Sequence, residues 1–154
     1  MSKQVNRYLQ VEPWTVTEKG FHPDSAEVSE SVFSLANEFM GVRGFFEEGY
    51  SGDSLIGSYF NGVFDERPLV YPNLLKGFPE RTHFMVNSVN WLHTRIGAAG
   101  ETLDLATAEF SEFERQLDLR AGTLTRSFVW QVQGAGRVRV RFSRFLSMGE
   151  TRVG

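Results

Sequence analysis

Alternating apolar and polar residues dominate the last third of the chain. Over residues 123–133 the even positions are mostly large and apolar, apart from Arg126, and the odd positions are mostly polar, apart from Val129. This two-residue period is typical of a strand with one buried face. The same parity resumes after the turn at 134–136, with the polar set formed by Arg137, Arg139, Arg141, Ser143 and Ser147.

A third strand is predicted within residues 112–120, with Leu117 and Leu119 facing inward and Ala121-Gly122 turning the chain. We therefore predict an antiparallel meander over residues 109–148. Its inward apolar set is Leu117, Leu119, Leu124, Phe128, Trp130, Val132, Val138, Val140, Phe142, Leu146 and Met148.

Glycine and proline interrupt the middle of the chain, which predicts short strands near 58–64 and 84–89 and long loops over 45–57 and 65–82. Residues 24–40 are ambiguous. Apolar residues recur there at helical spacing, with Asp24 or Ser25 as a cap, which predicts a helix. Residues 32–35 also fit a strand.

Composition narrows the class of protein. The chain has 154 residues, which is room for one domain, and its aromatic content of 14% suits sheets better than helices. We predict a mostly β fold with at most one or two short helices. The absence of cysteine excludes disulfides, thiolate metal sites and thiol nucleophiles.

Charge and the N-terminus argue against two classes of partner. A net charge of -3 without a basic run offers little attraction to nucleic acid or to an anionic membrane. No apolar run of 18 residues occurs, and the first seven residues lack the apolar segment of a signal peptide. These features predict a soluble, cytoplasmic protein.

Adjacent carboxylates at Glu47 and Glu48 are the first candidates for chemistry. Glycoside hydrolysis needs two carboxyl groups that face each other across about 5–9.5 Å, whereas neighbouring side chains in an extended segment point to opposite faces. We therefore expect both to lie in a solvated loop mouth. Asp53 or Asp65 could become a partner only through the fold.

The other residues that could bind a metal or a ligand are better explained by structural roles. His22, His83 and His93 lack metal-ligand spacing, so no metal site is predicted. The arginine row at 137, 139 and 141 fits a solvated strand face better than a phosphate site. The Gly-Val-Arg-Gly segment at 41–44 indicates tight backbone packing rather than dinucleotide binding. Trp14, Trp91 and Trp130 could stack on sugars, but burial in a sheet is the commoner fate.

Five separate segments are distinctive: ESVFSLANEFMGVRGFFEEG (30–49), GSYFNGVFDE (57–66), FMVNSVNWLHTRIG (84–97), FERQLDLRAGTLTRSFVWQ (113–131) and RFLSM (144–148). They resemble segments of glycoside hydrolase family 65, the maltose, trehalose and kojibiose phosphorylases, and they occur in the order of that family. The similarity spans about residues 14–148.

The resemblance implies a fold and an activity. Family members join an N-terminal β-supersandwich of galactose-mutarotase-like type to a catalytic helical barrel and a small C-terminal β domain. A barrel glutamate acts as general acid, while inorganic phosphate, the co-substrate, attacks the anomeric carbon and inverts it. This chain resembles only the first part, so no catalytic residue carries over and no cofactor is expected, while the identity of any substrate-binding residue stays open.

We therefore predict a β-sandwich domain at 14–148, incomplete at its C-terminus, with flanking segments 1–13 and 149–154. Its expected partners are the helical barrel of the same parent chain and, in the full enzyme, an α-linked glucose disaccharide; a homodimer stays open. The inward face of the meander should lack its cover, which would leave the chain marginal or oligomeric.

The sequence is compatible with three functions. The first is a non-catalytic domain of an inverting disaccharide phosphorylase, inactive by itself. The second is an autonomous carbohydrate-binding module, suggested by the aromatic content and the long loops. The third is a hydrolase that uses Glu47 or Glu48 with Asp53.

Overall fold

The structure, a computed structural model, describes residues 8–70 and 76–150. Most of its regular structure is β, and the single α-helix among the described residues is short. The strands are β1 (Leu9–Val11), β2 (Thr15–Lys19), β3 (Leu35–Ala36), β4 (Met40–Val42), β5 (Ser58–Pro68), β6 (Arg81–Asn87), β7 (Gly97–Ala98), β8 (Glu101–Thr102), β9 (Phe110–Asp118), β10 (Thr123–Val132) and β11 (Gly136–Phe145). A 3-10 turn (Pro23–Ser25) leads into helix α1 (Ala26–Val32).

Two antiparallel sheets carry most of these strands. The larger, sheet A, has the order β1-β2-β9-β10-β11, and the smaller, sheet B, has the order β3-β4-β5-β6. The short pair β7-β8 stands apart. Apolar side chains from sheet A, sheet B and the intervening loops pack together, so the fold is a β-sandwich, as predicted.

The predicted meander is confirmed as β9-β10-β11. Strand β10 pairs with β11 without interruption from Thr123 opposite Phe145 to Val132 opposite Gly136. Its pairing with β9 shifts register between Ser127 and Val129. Glu112 lies beside this irregularity with a φ of 56°, which fits a β-bulge that re-aims the strand.

The predicted helix over 24–40 is too long. Helix α1 ends at Val32, and residues 35–42 form the hairpin β3-β4, so the strand interpretation is correct for Leu35. Asn37 makes this turn: its Oδ1 accepts the N–H groups of Phe39 and Met40, both at 2.8 Å. Ser25 stands at the N-cap, but its side chain makes no capping hydrogen bond.

Two apolar clusters fill the space between the layers. The first comprises Phe33, Leu35, Met40, Val42, Phe45, Leu117, Leu124 and Leu146. The second comprises Phe46, Leu103, Leu105, Phe113, Phe128, Trp130, Val132 and Val140. Phe128 and Trp130 are 0% and 1% exposed, which confirms that they point into the core.

The expectation that the inward face of the meander lacks cover is wrong. Helix α1, the β3-β4 hairpin and the segments around Phe45 and Leu103 supply that cover from within the described chain. Two inward assignments are also wrong, since Leu119 and Met148 are 53% and 74% exposed. Strand β9 ends at Asp118, whose Oδ1 accepts two turn N–H groups, so Leu119 already belongs to the turn.

The glycine at the end of the 41–44 segment confirms the predicted tight packing. A Cβ on Gly44 would lie 2.7 Å from both Cβ and O of Phe33, closer than real atoms approach. The Gly44 N–H donates to the Glu30 carbonyl at 2.7 Å. This contact fixes the chain that follows β4 against helix α1.

Strands β5 and β6 begin or end beyond their predicted limits and take up the two ends of the loop expected over 65–82. Only the first residues of β5 pair with β4, opposite Met40–Val42. From Asn61 onward the residues of β5 are exposed, and from Phe64 onward they pair with β6, which makes a two-stranded projection. We call residues 61–68 and 81–87 the arm.

Candidate functional site

Three buried arginines cross the inner face of sheet A. Arg115 on β9 lies directly opposite Arg126 on β10, and Arg144 on β11 lies opposite Leu124. All three are at most 6% exposed. Each follows the inward parity of its strand, so the sheet places a row of cations between the two apolar clusters.

Three buried glutamates neutralise this row. Glu18 on β2 lies opposite Arg115, while Glu47 and Glu48 come from a turn after β4. We call these six residues, Glu18, Glu47, Glu48, Arg115, Arg126 and Arg144, the charged belt. With three positive and three negative groups, the belt carries no net charge.

Arg126 binds both adjacent glutamates. Its Nη1 donates to Oε1 of Glu48 at 2.6 Å, and its Nη2 donates to Oε2 of Glu47 at 2.8 Å and also to Oε2 of Glu48. Arg144 approaches Glu47 from the other side, with Nε at 3.0 Å and Nη2 at 2.6 Å from Oε1. Every carboxylate oxygen of this pair therefore accepts from a guanidinium.

Glu18 anchors the opposite end of the charged belt. Arg115 Nε donates to its Oε2 at 2.5 Å, and Ser29 Oγ donates to the same atom at 3.1 Å. His22 Nδ1 lies 3.2 Å from Oε1. The belt thus ties β2 and β9 to helix α1.

Aromatic rings surround the guanidinium groups. Arg126 lies 4.5 Å from the ring centre of Phe46 and 4.3 Å from that of Phe142. Arg115 lies 4.7 Å from the ring centre of Phe33. Cation–π contact of this kind stabilises a desolvated cation, so aromatic residues serve here as partners to charge as well as core filling.

The expectation that Glu47 and Glu48 lie in a solvated loop mouth is wrong. They are 8% and 4% exposed. The expectation assumed an extended segment, but both residues belong to a turn that Gly49 closes with a φ of 89°. The turn lets neighbouring side chains converge on one guanidinium.

The electrostatics of the charged belt oppose proton transfer. Burial alone would raise the pKa of Glu47, yet the charges of Arg126 and Arg144 outweigh it and hold that pKa below its ordinary value. Burial alone would lower the pKa of Arg126, yet the hydrogen bonds and charges of Glu48 and Glu47 raise it. A general acid needs a raised carboxyl pKa, so Glu47 is suited to holding strands together instead.

The carboxylates considered as catalytic partners lie in three places. Asp53 lines a cleft of about 370 Å³ with Asp24, Glu27 and Tyr50, and neither Glu47 nor Glu48 lines it. Asp65 is exposed on the arm. Of these four residues, Glu47 and Glu48 share the Arg126 guanidinium, whereas Asp53 and Asp65 lie elsewhere.

Acidic groups near the cleft affect Tyr50. Burial raises the pKa of its hydroxyl first, and the negative charges of Asp104, Asp53 and Glu30 raise it further. Glu30 itself holds the neighbouring loop, since its carboxylate accepts from Ser54 Oγ at 2.5 Å and from the N–H of Leu55 at 2.6 Å. The cleft thus presents a neutral phenol beside carboxylates.

The remaining candidates divide between core and surface. Trp130 is buried, but Trp14 and Trp91 are 55% and 37% exposed, so the general expectation of burial is wrong for those two. Arg137 and Arg139 are exposed and pair with Glu112 at 2.7 and 2.5 Å, which confirms a solvated strand face.

Two further features are absent from the part of the chain that the structure describes. No group of three or more His, Cys, Asp or Glu side chains within residues 8–70 and 76–150 is arranged to hold a metal ion. No helix in that part of the chain is long and apolar enough to cross a membrane.

Arg144 and Glu18 were not identified from the sequence as buried charges. For the arginines, however, the sequence contains a pattern that indicates burial. Arg126 and Arg144 both occupy positions whose neighbours two residues away are apolar. A charged residue on an inward parity requires a buried counter-charge, and Glu47 and Glu48 were available. Glu18 has no such pattern in its short strand.

Comparison with known proteins shows the family of this chain. The sequence model described as "Glycosyl hydrolase family 65, N-terminal domain" matches residues 16–154. The chain belongs to this family. It is 37% identical over 142 residues to a maltose phosphorylase of Bacillus subtilis (strain 168), covering 92% of this chain and 19% of that protein.

Further relatives carry other phosphorylase names. An alpha,alpha-trehalose phosphorylase of Thermoanaerobacter brockii is 32% identical over 89% of this chain and 18% of its own length. A solved structure described as "Putative kojibiose phosphorylase from human microbiome" matches with a TM-score of 0.84 and 45% identity, covering 94% of this chain and 19% of that one. The chain thus spans about a fifth of the length of these relatives.

Proposed function

We propose that the chain is the non-catalytic N-terminal β-sandwich domain of a cytoplasmic, inverting disaccharide phosphorylase. The observation that carries this proposal is the match to a maltose phosphorylase over 92% of this chain but 19% of that protein. Relatives named for maltose, trehalose and kojibiose all support α-linked glucose disaccharides as the substrate class.

The proposed reaction assigns chemistry to a part of the parent protein outside these residues. A general acid there protonates the glycosidic oxygen, and inorganic phosphate attacks the anomeric carbon from the opposite face. Because phosphate is already anionic, no base is needed to activate it. The sandwich supplies a rigid body beside that site, and the buried charge pairs of the belt support such a structural role.

The test is phosphate-dependent release of glucose 1-phosphate by the longer chain that contains these residues. We expect turnover of at least one among maltose, trehalose and kojibiose, with the β-anomer as the product by NMR. The α-anomer would contradict inversion. Glucose release that is independent of phosphate would assign the parent protein to hydrolysis instead.

A carbohydrate-binding module is the second candidate, and one observation favours it. Trp14 is 55% exposed although Arg120 lies over one side of its ring, 5.5 Å from the ring centre, so part of the aromatic surface is open to solvent. Aromatic faces of this kind stack on sugars. Calorimetric titration of the 154-residue chain with the three disaccharides tests it: millimolar binding that Trp14→Ala abolishes would favour the module, and no heat would exclude it.

A further inference from the structure

Sheets A and B have four outer strands among the described residues, and three of them are protected. β1 and β3 have three and two residues, too few to pair with much of another strand. β11 has ten residues but carries Arg137, Arg139 and Arg141 along its length. Short strands and rows of charge are the usual means by which proteins prevent pairing at a sheet edge.

Strand β6 has neither protection. It has seven residues, and after Arg81 its sequence is Thr-His-Phe-Met-Val-Asn, without a lysine, arginine, aspartate or glutamate. It pairs with β5 on one side and is the outer strand of sheet B on the other. A β-branched and aromatic strand of this length is well suited to accept another strand.

Exposed apolar side chains gather around this edge. Nine of the fifteen large apolar side chains exposed in the described ranges fall within residues 55–91, which marks this segment as the incompletely covered side of the sandwich. They are Leu55, Ile56, Val63, Phe64, Val70, Phe78, Met85, Val89 and Trp91. Phe64 and Met85 lie directly opposite each other on the arm.

Hydrogen bonds fix the base of the arm. Asn87 Nδ2 donates to the Ile56 carbonyl at 2.9 Å, and its Oδ1 accepts from the Ser58 N–H at 3.0 Å. Ser58 Oγ donates to the Val89 carbonyl at 2.9 Å. These bonds hold the backbone at Ile56 and Val89 in place, so the fold itself keeps the two side chains exposed.

The arm also lacks the packing that a two-stranded projection needs. An isolated hairpin is marginal in water without a third strand or a covering layer. Its polar contacts, such as the pairing of Glu66 with Arg81 and the position of Arg67 5.0 Å from the ring centre of Phe84, lie at the surface. A covering partner would stabilise both strands.

We propose that the arm and the β6 edge are the docking surface for the remainder of a longer chain, which adds at least one strand to β6. This rests on the proposed function. The length of the relatives supports this occupant over a second copy, because about four fifths of each lies outside the matched region. The added strand would pair with β6, and other residues of the longer chain would pack over Phe64 and Met85.

Hydrogen exchange measured by mass spectrometry on the 154-residue chain and on the longer chain tests the proposal. We expect the peptide that contains Phe84, Met85 and Val86 to exchange at least about ten-fold more slowly in the longer chain. The peptide of β11, which carries the arginine row, is the internal control and should change by less than about two-fold.

A charge introduced at Met85 gives an independent readout. Met85→Lys should lower the melting midpoint of the longer chain by about 3 °C or more and that of the 154-residue chain by less than about 1 °C, because Met85 is covered only in the longer chain. Val11→Lys is the matched control, since Val11 is 73% exposed on an outer strand of sheet A, and should leave both midpoints unchanged.

Three results would overturn the docking proposal. They are unchanged exchange at β6 in the longer chain, equal effects of Met85→Lys in both chains, and a dimer of the 154-residue chain in sedimentation that itself protects β6. An active phosphorylase with unprotected β6 would refute the docking alone. An inactive longer chain with protected β6 would refute the proposed function alone.

Discussion

Besides Glu30, the six ionisable side chains of the charged belt lie in the interior of this sandwich, and their mutual arrangement decides what the interior can do. Each guanidinium contacts a carboxylate, and the aromatic rings of Phe46, Phe142 and Phe33 cover the cations. Burying an unpaired charge is far more costly than burying a matched pair. Loss of one member should therefore cost more than loss of an exposed ion pair.

Replacement of Arg126 by methionine tests this at one residue. Arg126→Met leaves Glu48 without its guanidinium partner and should lower the free energy of unfolding by about 3–5 kcal/mol in chemical denaturation. Arg139→Met is the matched control: its side chain is 62% exposed and pairs with Glu112, so it should cost about 0–1 kcal/mol. Equal effects would contradict a stabilising charged belt.

Acid should weaken the same contacts. Because Arg126 and Arg144 lower the pKa of folded Glu47 beneath its unfolded value, its ionisation contributes stability that is fully present above an unfolded pKa of about 4.5. That contribution is lost as the pH falls through the lower folded pKa. The urea midpoint, measured from pH 7 to pH 3, should fall more steeply for the wild type than for Glu47→Gln; parallel curves would refute the assignment.

Sequence interpretation failed at Glu47 and Glu48 for a local reason. Alternation of side chains holds only in an extended segment, and a turn closed by Gly49 removes it. The pair also acquires its partners from β10 and β11, about 80 to 100 residues later in the chain. No local sequence pattern indicates contacts between residues that are so far apart in the chain.

Strands β9, β10 and β11 illustrate what periodicity predicts well. A two-residue period with one buried face defines both the strand and its orientation, so Phe128 and Trp130 could be placed in the core from sequence. Residues 24–40 illustrate the converse. Val28 follows the helical period but is 57% exposed, while Ser29 and Glu30 are buried because they bind the carboxylate of Glu18 and the loop at Ser54.

Truncation on β10 tests the orientation of that strand. Phe128→Ala or Trp130→Ala should lower the free energy of unfolding by about 3–5 kcal/mol, because each leaves a cavity in the second apolar cluster. Phe145→Ala on neighbouring β11 is the control, since Phe145 is 54% exposed. A melting midpoint unchanged by the first two substitutions would show that the inward face is assigned incorrectly.

For the whole molecule, composition and pattern predicted a mostly β fold, and the family motifs predicted the family. Pattern alone could not show which side of the sandwich is covered. The inward face of the meander finds its cover within the described chain, whereas the exposed apolar side chains concentrate along 55–91. Long-range packing decides this distribution, and alternation in sequence does not record it.

We propose that this domain belongs to a phosphorylase and does not perform its chemistry. The most direct test is an assay of glucose 1-phosphate and glucose release by the purified 154-residue chain, with maltose, trehalose or kojibiose and inorganic phosphate. We expect no turnover above the blank, because Glu47 and Glu48 are clamped by arginines and Asp53 lies in another cleft. Turnover that persists through purification and disappears in Glu47→Gln or Glu48→Gln would contradict a non-catalytic role for this domain.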